Sequence, residues 1–572
     1  MGITNGVSNM KTDRKDNQNG FKHGQIFCPL FLILLCILLS SCADKRDLSV
    51  VPVTETENNI TDTDVNDRYL RFIGEEPNTM DPQCTSGYYT VALNVFDRLV
   101  EIETIDGVNE IVPSLAESWE ISDDGLVYLI HLRQGVTFSN GSPLTSSDIK
   151  FTLERLLSNP AGRNKDIAMS ILGAEAFRNG ETETLEGLRI VDDNTIEITL
   201  AYPYGPFLAC MSTPGASILD EETVTAAGEQ SGMMSRSIIG TGPFVFEEWK
   251  PGAEITMKKN PTFWGKEAGC EGLRMIFLSG SVSPRLLFEN GQVDILDLEN
   301  VGGDSEYFIN GDIYRGLIHS GTRVGITYIA LNENIEPLND VRVRKAMQLA
   351  LDRNTIMRAI ISGRGNVENG IFPHGLLGHN PDLDEIPYDV DEALKLLKEA
   401  GYADGFDVDF CLIYNSSELM HQLVDVVTFM WSKIGIRTKI TEMTEDEYIE
   451  ARQQGKLSCY TSTWSADFND PDNFIYTFFG TPENTANRGL NYSNMDVIQR
   501  VQDARAIVDN DKRIAEYQDL EKKIIQEDAA WIPLYSAEHL FVVSERVEGF
   551  HVLWNGWSNN RYQNVSLKDS SL

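Results

Sequence analysis

"FDVDFCLIYNSSELMHQLVDVVTFMWSKIGIRTKIT", residues 406–441, is the stretch on which the fold class turns. "FDVDFCLIY" reads as a strand, "ELMHQLVDVVTFMWSKIG" as a helix and "IRTKIT" as the next strand; "LSCYTSTW" (457–464) follows as another strand. Upstream, "DVRVRKAMQLALDRNTIMRAIIS" carries apolar residues at helical spacing and stops at Gly363. "VDEALKLLKEAGY" is expected to bury Ala393, Leu394, Leu397 and Ala400, with Gly401 as the C′ residue. Strands alternating with helices predict a mostly parallel sheet covered by helices.

The N-terminal half is richer in strands. "GLVYLIHL" follows the turn "SDDG", and "GVTFSNGSPLTSSDIKFTLERLL" gives a strand, an Asn140-Gly141 turn and a helix. Thr145 with Asp148 three residues on forms a capping-box pattern for that helix. "RIVDDNTIEITL" reads as a hairpin turning at Asp193-Asn194. There is no repeat at periods of 20–50 residues.

The first residues stand apart from the fold. Lys11, Arg14, Lys15 and Lys22 precede the apolar run Ile26–Leu39, which suits a signal segment and is short of the roughly 20 residues a spanning helix needs. Leu39-Ser40-Ser41-Cys42 then resembles the bacterial lipobox, which implies lipidation of Cys42 and cleavage just before it. Residues 1–41 are therefore read as a lipoprotein signal peptide and 42–66 as a flexible acidic tether on the extracytoplasmic face of the cell membrane. The remaining length accommodates three or four domains.

The formal net charge is −38, and the signal segment holds more basic than acidic residues. Such a polyanion is poorly suited to nucleic acid. Beyond Cys42 lie five cysteines, Cys84, Cys210, Cys270, Cys411 and Cys459, with no zinc-type spacing; a bridge between Cys411 and Cys459 stays open. There is no G-x-S-x-G and no H-E-x-x-H, and the eight histidines are scattered with none paired at ligand spacing. No catalytic residue, metal ligand or cofactor is expected.

"LAESWEISDDGLVYLIHLRQGVTFSNGSPLTSSDIKFTLERLL", "GTGPFVFEEWKPGAEITMKKNPTFW", "NDVRVRKAMQLALDR", "DEALKLLKEAGY" and "WSADFNDPDNF" resemble, in order, the sequence blocks of the extracellular family 5 solute-binding proteins of ABC transporters. Within that family, "ILGAEAFRNGETETLEGLRIVDDNTIEITL" and "LIYNSSEL" are most similar to the oligopeptide-binding branch. The resemblance implies an α/β, periplasmic-binding-protein-like type II fold of two large lobes with a hinge and an inserted small domain. It divides the chain into domain I (67–107, 220–323 and 538–572), domain II (108–219) and domain III (324–537). It also implies a monomer that captures oligopeptides by lobe closure and passes them to permease subunits served by cytoplasmic ATPases.

The same resemblance assigns roles within "WSADFNDPDNF" (464–474). Asp467 matches the carboxylate that pairs with a peptide's α-ammonium, Trp464 supplies a wall, and Thr463 and Ser465 offer main-chain hydrogen bonds in a strand-addition mode. Asn415, Tyr328 and Tyr88 fall at aligned cleft positions. Read from the residues alone, Asp467 suits a cap for a helix starting near Pro471, while Asp470, Asp472 and Asn473 suit turn and cap positions. An EF-hand reading fails for want of its Gly and distal Glu. The dipeptide binders' Arg clamp is His421-Gln422 here, and the enteric oligopeptide binder's Arg three residues before the Trp is Thr461, which implies tolerance of ligand length. The alternatives are the same fold holding a nickel chelate, haem or oligosaccharide, and an anchored hydrolase.

Overall fold

The computed structural model describes residues 68–568, apart from 86–87, 106–107, 279, 281, 300 and 555–559. The signal segment, Cys42 and the tether fall outside the described residues. The described chain is mixed α/β, as expected.

Its largest sheet has twelve strands. The main path runs Ile436–Met443, Phe406–Ile413, Cys459–Ser465, Gly325–Leu331, Trp531–Val543, Ile295–Asp297, Tyr69–Ile73, Gly272–Ile276, Glu254–Lys259 and Phe244–Lys250. The 13-residue strand Trp531–Val543 joins the two halves, pairing with Gly325–Leu331 near its start and with Ile295–Asp297 at its end. The sheet is mixed, which corrects the expectation of a mostly parallel one. Phe406–Ile413 and Tyr69–Ile73 run parallel to both neighbours, and the remaining pairs are antiparallel. In the C-terminal half, parallel pairing is confined to the helix-linked crossovers between residues 406 and 465.

A separate four-stranded antiparallel sheet has the order Ala116–Ile121, Val127–Leu132, Thr195–Thr199, Leu188–Asp192. The last two strands are the predicted hairpin. Helix Ser146–Ser158 covers this sheet with Ile149, Leu153, Leu156 and Leu157, and the Thr145–Asp148 capping box is present. The four largest apolar cores are one built from residues 99–218, two built from 324–535, and one that combines 70–96, 219–295 and 541–565.

Two helix expectations need adjustment. The apolar stretch before Gly363 forms two helices, Val341–Leu349 and Arg353–Ile361, because Asp352 caps the second by accepting from the Thr355 amide at 3.0 Å. In helix Val390–Glu399, Ala393 and Leu397 are buried, Leu396 packs at the edge and Leu394 is 41 % exposed. Leu394 sits one position off the stripe that faces helix Val341–Leu349.

The five described cysteines are free thiols. Cys411 pairs with Tyr460 and Cys459 with Phe410, so the two thiols are one residue out of step on neighbouring strands. They enter different cores on opposite faces of the sheet, and no bridge can form between them.

Candidate functional site

Strand Cys459–Ser465 ends at the site. Along its whole length it pairs with Gly325–Leu331, but it pairs with Phe406–Ile413 only at Cys459 and Tyr460. Beyond Tyr460 its second edge has no strand partner among the described residues. The Ala466 amide donates to the Val324 carbonyl at 2.8 Å, which fixes the phase of the ladder. Alternation then directs the N–H and C=O of Thr461, Thr463 and Ser465 toward the open edge.

Past the strand, the chain turns through Asp467. The Asp467 amide donates to Asn473 Oδ1 (2.9 Å) and Asn473 Nδ2 donates to Asp467 Oδ2 (3.1 Å), a reciprocal clasp that aims the carboxylate. The capping role falls elsewhere: Asp470 accepts from the Asp472 amide at 3.0 Å as helix Asp472–Phe479 begins. Asp470 also receives two 2.7 Å bonds from Arg513. Asp472 is buried against Arg505 (2.9 Å) and the hydroxyls of Tyr204 (3.0 Å) and Tyr517 (3.1 Å).

Two cavities, of about 840 and 710 Å³, share Asp467, Thr213 and Pro214 in their linings. Asp467 thus stands on the partition of a two-chambered cleft, and each chamber lies in the size range of small-molecule sites. The smaller chamber has Tyr89, Asn164 and Tyr204 on one side and Trp464, Tyr476 and Arg488 on the other. The walls touch directly: Asn109 Nδ2 donates to the Gly375 carbonyl (2.7 Å), and Asn469 Nδ2 donates to the Asn109 carbonyl (2.8 Å).

Water reaches the Asp467 carboxylate, yet enough protein surrounds it for burial to push its pKa upward against the Asn473 hydrogen bond and the Arg488 charge. Because the carboxylate is open to solvent, that push is partial. Arg488 is set 4.4 Å over the Trp464 ring and 5.1 Å over Phe478, with no carboxylate within 4.0 Å among the described residues. Aromatic faces take the place of a counter-ion there, and burial lowers its pKa.

Of the sequence-predicted residues, the structure brings Asp467 and Trp464 to the cleft lining. Thr463 and Ser465 lie on the open strand edge rather than in the lining. Asn415 is exposed just after strand Phe406–Ile413, outside both chambers. Tyr328 is 2 % exposed and stacked on Trp531 at 4.3 Å, inside the core. Tyr88 is 38 % exposed, and its neighbour Tyr89 takes the wall position, accepting from Asn164 at 3.2 Å. Sequence reasoning also missed Arg488 and Arg452, which line the smaller chamber; no local pattern marks them.

The profile of the bacterial extracellular solute-binding proteins, family 5 Middle, matches residues 110–486. The chain belongs to that family. Family 5 relatives include heme-binding protein A of Haemophilus influenzae, 29 % identical over 81 % of this chain and 86 % of that protein. The dipeptide-binding protein of Escherichia coli K12 is 28 % identical over 92 % of this chain and 98 % of its own length. Among solved family 5 structures, DppA from Helicobacter pylori in complex with peptide STSA superposes with a TM-score of 0.66, at 26 % identity, over 87 % of this chain and 98 % of that one. No described helix is long and apolar enough to cross a membrane.

Proposed function

We propose that this chain is the lipid-anchored, peptide-capturing subunit of an ABC importer. The observation that carries the reading is Asp467, a clasped carboxylate on the cleft partition, two residues past the strand whose outer edge is open. A peptide laid along that edge gains main-chain hydrogen bonds from Thr463 and Ser465 that are blind to side chains. Its α-ammonium meets Asp467, since an ammonium taken out of water needs an opposite charge. Arg488, with Arg452 nearby, supplies positive charge for the carboxylate of a peptide short enough to reach it, which narrows the tolerance of ligand length that the sequence implies.

The grouping of apolar cores supports domain II at 108–219, domain III at 324–537 and domain I assembled from 67–107, 220–323 and 538–572. Closure of these lobes on the ligand, in a monomer, would present it to permease subunits and their ATPases. The relatives named for dipeptide binding support the peptide reading, and the haem-binding relative keeps the same fold available to another ligand.

Native mass spectrometry of undenatured protein, followed by a thermal-shift screen, tests the ligand. Short peptides that raise the melting point support the reading; stabilisation by haem, sugars or metal chelates alone overturns it. The anchor has its own test. Cys42→Ala should leave the precursor uncleaved at that site, and unchanged processing together with unchanged detergent-phase partitioning refutes lipidation there.

A further inference from the structure

A second cluster of polar side chains lies on the loop that follows strand Gly365–Val367, apart from the Asp467 carboxylate. Glu368, His374 and His379 each offer a ligand atom there, and these atoms lie within 4.8 Å of one another. Glu368 is 2 % exposed. Its Oε1 accepts from Ser536 Oγ at 2.5 Å and from the His374 amide at 3.1 Å, and it lies 2.9 Å from His374 Nδ1. The His374 and His379 rings are 4.2 Å apart between centroids. His379 Nδ1 sits 2.9 Å from the Phe372 carbonyl, which selects the tautomer with a proton on Nδ1 and leaves Nε2 as the free electron pair.

From this geometry we infer that Glu368, His374 and His379 form a binding site for a divalent transition cation of the zinc class. Two imidazoles and one carboxylate are the donor set such ions take, and water completes the coordination on the solvent side. The outer contacts are those that orient metal ligands: a backbone carbonyl holds one imidazole and a hydroxyl holds the carboxylate. The ion would take the place of the proton shared between His374 and Glu368, and that proton leaves to solvent. A tetrahedral zinc site has ligand–ligand edges of roughly 3.3 Å, so the half-exposed imidazoles close the remaining gap by rotation while the buried carboxylate stays fixed. The three ligands come from one twelve-residue stretch, 368–379. That stretch also carries Gly375, whose carbonyl meets Asn109 across the cleft, and Leu377, whose amide donates to Asn469 at 2.9 Å. An ion here therefore stiffens the cleft rim.

The test uses the full chain in detergent, stripped with EDTA and carrying no oligohistidine tag. Zinc chloride titrated by calorimetry should show one strong site, and cobalt chloride should give visible d–d absorption from nitrogen and oxygen ligands. His374→Asn and His379→Gln should each weaken zinc binding by more than the roughly 10- to 100-fold that loss of an outer partner of a ligand brings, and remove the cobalt bands. His421→Ala, at a half-buried histidine elsewhere, should change neither. Melting curves in EDTA check that each variant is folded, and zinc should raise the melting point of the wild type but not of the two site variants. No strong zinc site in the wild type, or site variants that bind as the wild type does, overturns the assignment.

Discussion

Asp467 faces the cleft with its charge aimed by Asn473, so its removal is read in binding before it is read in folding. Asp467→Asn keeps the side chain's shape and should cost about 2–5 kcal/mol of peptide affinity, roughly 30-fold to several thousand-fold. An N-acetylated peptide should bind the wild type as poorly as free peptide binds the variant. Combining the two should cost less than their sum, because both delete one interaction; additive losses in calorimetry would deny the pairing. Arg488→Met with a C-terminally amidated peptide forms the matching cycle. Glu521 behaves differently. Burial raises its pKa to about 8, the amides of Ile371 and Phe372 (2.6 and 2.8 Å) oppose that rise, and Glu368 adds to it. The folded state therefore prefers the protonated acid. The stability this confers is complete below the ordinary carboxylate range and is lost as pH climbs through that range to about 8. Midway through that window the loss approaches about 1.4 kcal/mol per pH unit, and it tapers off as pH nears about 8. Glu521→Gln should flatten this part of the profile in denaturant titrations across pH; an unchanged slope would assign the pH dependence to other groups.

At the scale of elements, the helix Ser146–Ser158 begins where the sequence said it would, because its start is written in four residues. Asp148 accepts from the Thr145 amide (2.9 Å) and hydroxyl (3.0 Å), and also from the Glu221 amide (3.2 Å). Burial nonetheless pushes the Asp148 pKa upward, so these hydrogen bonds do not fully repay its desolvation. Asp148→Ala removes the cap and strands an amide of a second helix, Glu221–Ala227, and should cost about 1–3 kcal/mol. Equilibrium urea unfolding measures this directly, and a change below about 0.5 kcal/mol would show that solvent replaces the cap. The two-helix break at Asp352 was less legible, since the apolar spacing continues across it and only the local hydrogen bond reveals the stop. Thr145 and Asp148 are neighbours in sequence, and so is their contact.

For the whole molecule, ligand and stability are linked by mass action. A peptide at about 100 times its Kd should add roughly 2.7 kcal/mol, seen as a melting point that rises with peptide concentration; a melting point independent of concentration would mean that the peptide does not bind the folded state. The walls that meet through Asn109, Gly375 and Asn469 come from parts of the chain more than 250 residues apart, and such contacts leave no trace in local pattern. The same holds for the choice of Tyr89 over Tyr88 as a wall, for the approach of Arg488 to Trp464, and for the separation of Cys411 from Cys459. For the two cysteines, a shift of one position along a strand sends a side chain to the opposite face; Tyr89 and Arg488 stand at helix ends, whose placement depends on long-range packing. By itself the sequence determined the α/β class, the elements around residues 406–465, the hairpin at Asp193-Asn194, the Thr145–Asp148 cap and the family, because periodicity, turn chemistry and ordered blocks act over short distances along the chain. Only the tertiary structure decided the mixed order of the great sheet, the cleft lining and the meeting of Glu368, His374 and His379, because those depend on which surfaces pack together once distant segments share a core.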